Sequence, residues 1–90
     1  MARAVADPAD LRRFAQGLNH FNHEMTNLIE ALQANFVRLG DTWRDQEHQK
    51  FAEEFTQTMQ VLSRFLGLST QQVPFLLRKA ERIDDYLRQR

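Results

Sequence analysis

Between Leu11 and Leu39 the large apolar residues recur at steps of three and four. They are Leu11, Phe14, Leu18, Phe21, Met25, Leu28 and Leu32, then Leu39 after a skip over polar Asn35. A run of this kind keeps a heptad seam for about four repeats, the spacing of left-handed helix packing. Asp7-Pro8-Ala9-Asp10 precedes it. Asp7 suits an N-cap, Pro8 the first helical position, and Asp10 the positive end of the helix dipole. Gly40 follows, where a C′ residue adopts the left-handed conformation. The first helix is predicted over residues 7–39.

A second seam begins with Phe51, Phe55, Met59, Leu62 and Leu66. Gly67 and Pro74 interrupt it, and an interior proline costs roughly 3 kcal/mol. Ser69 with Gln72 three residues on could even cap a new helix. The phase favours continuity: positions 62, 66, 69, 73, 76, 80, 83 and 87 hold Leu, Leu, Ser, Val, Leu, Ala, Ile and Leu without a slip. One helix over 44–89, kinked near 70–74, is predicted. In an antiparallel hairpin Leu39 then lies opposite about His48 and Asp7 opposite about Ala80. Ile83, Tyr86 and Leu87 would overhang the partner helix.

The fold class is therefore all-α, a single helical-hairpin domain over residues 1–90. Composition agrees: three Gly and two Pro give little punctuation, and strong helix formers dominate. With no cysteine, no disulfide or thiolate metal site supplements the core. The opening MARAVADPADLRRF lacks a signal-peptide core, and no segment reaches the ~20 apolar residues of a membrane span. These features suit a cytoplasmic location, or export by a specialised route without a cleavable signal peptide.

Apolar residues also flank both seams. Ile29 and Phe36 sit beside the first, and Val61, Phe65, Leu68 and Phe75 form a stripe beside the second. A lone hairpin would leave them wet, and aligned exposed apolar residues mark an interface. Two hairpins would form a four-helix bundle, as a homodimer or as a heterodimer with a related hairpin. An intracellular module binding another protein's helix through the Phe65–Phe75 stripe is the alternative. Residues 78–90 hold five basic and three acidic side chains, and residues 41–54 two and five. Each basic end could approach the other hairpin's acidic turn.

The turn, RLGDTWRDQEHQKF, holds the single Trp. Trp43 can pack across both helix ends as a staple. Thr42 is the expected N-cap of helix two, with Asp45 at its third position. Gly40, Thr42, Trp43, Asp45 and Phe51 together form the turn motif. Two amphipathic helices, a central Trp and Phe51 eight residues later resemble the WXG family, the early-secreted-antigen helical hairpins associated with type VII secretion. The resemblance spans roughly residues 7–90. It implies a dimerising hairpin that serves as a secretion substrate, partner or adaptor. The chain departs from the family at two places. Asp45 stands where the family has Gly, and Tyr86 is followed four residues later by Arg90 instead of an acidic residue, leaving a degenerate export motif.

No enzyme, cofactor or small-molecule substrate is implied. His20, His23 and Glu24 are close in sequence, but the seam turns Phe21 inward and the histidines to its flanks. Asp45-x-x-His48 lies ~28 Å away along the axis, so no metal site is expected. No phosphate loop, nucleophile elbow or zinc motif occurs, and neither Ser63 nor Ser69 lies in a catalytic motif. Glu53-Glu54 and Asp84-Asp85 are adjacent pairs, which splay on a helix. Twelve basic residues balance twelve acidic ones, which argues against nucleic acid as a partner.

Overall fold

A computed structural model describes residues 6–89 of the chain. It contains two α-helices, α1 over Pro8–Leu39 and α2 over Gln46–Arg88. They pack antiparallel into a rod of 69 × 17 × 16 Å, whose length is close to the ~65 Å of α2 alone.

α1 starts as its sequence requires. Asp7 accepts a hydrogen bond from the Ala9 amide at 2.9 Å, with Pro8 in the first turn. Its end differs from expectation. Gly40 is right-handed, at φ −62° and ψ −17°. The chain leaves α1 through a tightened turn, with Gly40, Asp41 and Thr42 amides donating to the carbonyls three residues back. Such bonds satisfy the orphan carbonyls of a helix end without a left-handed residue. Glycine suits position 40 sterically, since a Cβ there would lie 3.3 Å from the Val37 carbonyl oxygen.

The start of α2 also moves. Thr42, the expected cap, instead donates its hydroxyl back to the Leu39 carbonyl at 3.4 Å. Asp45 is the N-cap, accepting from the His48 amide at 3.0 Å. A carboxylate satisfies an orphan donor and also meets the positive end of the helix dipole. Residues 40–45 are thus the turn, and α2 begins two residues later than the expected position 44.

From there α2 is one helix through Gly67 and Pro74. The Ser69 capping alternative fails because its hydroxyl donates across the seam to Asn22 Oδ1 at 2.6 Å. Pro74 and Thr70 both lie on the exposed side, so the carbonyl that loses its donor faces water. On the other side Val73, Leu76, Ala80 and Ile83 keep contact with α1, as their spacing required.

On α1 the seam is rotated from the expected one. Ala15, Asn22 and Ile29 are buried, while Phe14 and Leu28 are 64% and 62% exposed. The inward residues are Leu11, Ala15, Leu18, Asn22, Met25, Ile29 and Phe36. This too is a heptad pattern, one position round from the row of Phe14, Phe21 and Leu28. Ile29 and Phe36, placed on an outer flank by the sequence, belong to the hairpin's own core. Packing explains the choice: Ala15 and Ala80 are almost fully buried, and small side chains let two helices approach closely. Phe14 in the same place would hold them apart.

Asn22 facing Ser69 also resets the level of the two helices. Fifteen residues outward from that pair on each helix, Asp7 stands level with Asp84, a turn beyond the expected Ala80. Arg12 confirms this register by reaching Asp84 at 2.6 Å and Glu81 at 3.3 Å. The overhang is correspondingly shorter, and Ile83 is half-buried.

Candidate interaction face

Rotating the seam leaves α1 with an outward row of Phe14, Phe21 and Leu28. α2 contributes Val61, Phe65, Leu68 and Phe75. All seven are between 44% and 64% exposed. The two rows adjoin: Phe21 and Phe65 meet edge to face with centroids 6.4 Å apart. Phe14 and Phe75 lie toward one end of this contact, Leu28 and Val61 toward the other. The result is a single apolar strip across both helices.

With ~180 Å² per large side chain, these exposures amount to roughly 700 Å² of accessible apolar surface. That is above the ~300–600 Å² of a typical monomer's largest patch and close to the ~800 Å² each partner gives a standard interface. The reverse side differs. Arg12 bridges to Glu81 and Asp84 there, and a shallow groove of about 410 Å³ sets Phe36, Val37, Phe55 and Met59 beside polar Gln33, Thr56, Gln60 and Ser63.

At the tip the expected turn residues do come together. Trp43 is half-buried, with its ring 5.1 Å from His48, edge-on, and 5.8 Å from Phe51. Phe36 of α1 stacks on His48 at 5.7 Å and on Phe55 at 4.6 Å. The staple is thus a cluster of five rings, with Phe36 carrying the link to α1. His48 Nε2 is buried without a hydrogen-bond partner among the described residues, so this imidazole serves here as an aromatic plate. The sequence places His48 at the turn but assigns it no packing role there, although its spacing from Phe51 and Phe55 puts it on the same helix face.

The remaining candidates sit apart from this cluster. His20 and His23 are exposed, and His20 lies 3.7 Å from Glu24. Among the described residues no three His, Cys, Asp or Glu side chains converge on a point that could hold a metal ion. Asp84 and Asp85 are not free carboxylates: Asp84 pairs with Arg12, and Asp85 with Arg88. That hydrogen bond raises the Arg88 guanidinium above its ordinary pKa, leaving it a fixed cation. Tyr86 is exposed at 64%, and Arg90 lies outside the described residues. No described helix is long and apolar enough to cross a membrane.

No protein-family model, curated protein or solved structure matches this chain.

Proposed function

We propose that this chain is a non-catalytic interaction protein of the WXG type, whose working form is a pair of hairpins in a four-helix bundle. It would serve specialised secretion as a substrate or an adaptor. One observation carries the reading: seven large apolar side chains are aligned on one face of a hairpin that has little else to stabilise it. No large side chain among the described residues is fully buried, and the buried apolar set is Ala15, Ile29, Met59 and Ala80. A core this small falls short of what a domain of this size needs, and a second hairpin on the apolar face would complete it. The Trp43 turn and the hairpin itself support the WXG-type assignment.

Charged substitutions on the face test the proposal. Phe65→Glu and Leu28→Glu should convert a dimer to a monomer in sedimentation velocity. Val37→Glu, on the grooved side, should not. Dimers that persist in both face variants would refute the reading.

A further inference from the structure

The apolar strip continues into a charge pattern that defines how a second copy would lie on it. On α2 an unbroken row, spaced alternately four and three residues, runs from Glu47 to Tyr86 on the outward side; every member is exposed but half-buried Lys79. Glu47 and Glu54 stand at its tip end and Lys79 and Arg82 toward its C-terminal end, with the apolar residues between. The row's midpoint falls between Phe65 and Leu68, beside Gly67, the middle residue of α2. Reversing a second α2 about that midpoint overlaps the two helices along their whole length.

We infer that a second copy of this chain docks antiparallel on the strip, α2 against α2, with the twofold axis passing between Phe65 and Leu68. This rests on the dimer proposed above and specifies its geometry. In this register Phe65 meets Leu68 of the second copy, and Glu54 meets its Lys79. Phe51 meets Arg82, a cation over an aromatic face. Each pair occurs twice by symmetry, as an isologous interface requires.

α1 carries an independent mark of the same arrangement. Gly17 lies inside the helix, where glycine is ~1 kcal/mol less favourable than alanine. The hairpin itself has no steric need for it, since a Cβ at Gly17 would meet nothing within 4 Å. Asn22 is level with Ser69, so the axis crosses α1 between Glu24 and Met25 and brings Leu32 of the second copy over Gly17, and Leu28 over Phe21. Glycine at 17 is the seat for an incoming leucine.

Because the chain has no cysteine, introduced thiols report contacts without background. Chains carrying Phe65→Cys and Leu68→Cys are mixed and oxidised, and Tyr86→Cys is treated alone. Both central positions are about half exposed, so the hairpin seam is untouched, and circular dichroism checks helicity. The 65–68 disulfide should form readily. Tyr86→Cys should not link to itself, because the two copies stand ~58 Å apart along the axis. A dimer by sedimentation that lacks the 65–68 link, or that links at 86, overturns this geometry but not the dimer. A monomer overturns both. Separately, Glu54→Lys and Lys79→Glu should each raise the dimer Kd on the order of tenfold, and the two combined in one chain should restore it. Failure of the double reversal to restore affinity overturns the register.

Discussion

The polar pair in the middle of the seam offers a sharp test of the packing. Asn22 is 5% exposed and Ser69 2%, joined by one hydrogen bond of 2.6 Å. Asn22 Nδ2 is buried without a partner among the described residues. Ser69→Ala removes the donor to Asn22 Oδ1 and leaves the amide with both polar atoms unsatisfied, at a cost of ~1–3 kcal/mol. Asn22→Leu together with Ser69→Ala removes the whole problem. It loses a hydrogen bond of net ~1 kcal/mol and gains a buried leucine of ~1.5–3 kcal/mol. The double variant should be ~1–2 kcal/mol more stable than the parent, although Ser69→Ala alone is less stable. Thermal unfolding by circular dichroism at one fixed protein concentration measures both, since association makes Tm concentration-dependent. Tm should fall by at least ~4 °C for the single variant and rise by about as much for the double. A neutral Ser69→Ala, or a double variant less stable than Ser69→Ala alone, would refute the burial and pairing of these two side chains.

Three further outcomes are expected. Asp45→Ala should cost ~1 kcal/mol as the loss of an N-cap, while Thr42→Ala should change urea stability by only a few tenths; equal effects would contradict the observed start of α2. Gly67→Ala should stabilise by ~0.5–1 kcal/mol, because a Cβ there meets nothing within 4 Å, and destabilisation would mean an unseen contact on that side. Arg90→Glu rebuilds the tyrosine–acid spacing after Tyr86 and should raise the fraction found in washed culture supernatant free of lysis markers. An unchanged fraction would count against Tyr86 and position 90 as an export signal.

Much of the fold can be read from the sequence, and the misreadings have physical causes. The α2 seam from Leu62 to Ile83 is legible because its row runs on apolar past Pro74 to Ala80 and Ile83, whereas the adjoining stripe of Val61, Phe65, Leu68 and Phe75 gives way to Lys79 and Arg82. On α1 two rows compete, Phe14/Phe21/Leu28 and Ala15/Asn22/Ile29/Phe36. Side-chain size favours the first row, but close helix approach selects the second, with its small and polar members. Periodicity cannot separate rows one residue apart; Ala80 and Ser69, small residues on the opposite seam, were the available signal. The same error hid half of the exposed apolar strip, because Phe14, Phe21 and Leu28 were assigned to the core. The α2 half, Val61, Phe65, Leu68 and Phe75, was legible as surplus apolar residues beside a complete seam. At the turn, Thr42 and Asp45 are both good caps, and only the bond to the His48 amide distinguishes them.

A second hairpin on the apolar face would make the unmodified chain a dimer in solution. Sedimentation equilibrium of the unmodified chain across roughly 1–100 µM tests it most directly, since a dimer of Kd near 1 µM has a binding free energy of about −8 kcal/mol. The chain mass is 10.6 kDa, and a species of about twice that mass is expected over most of the range. A single species at the chain mass throughout, with helicity intact, would contradict the claim.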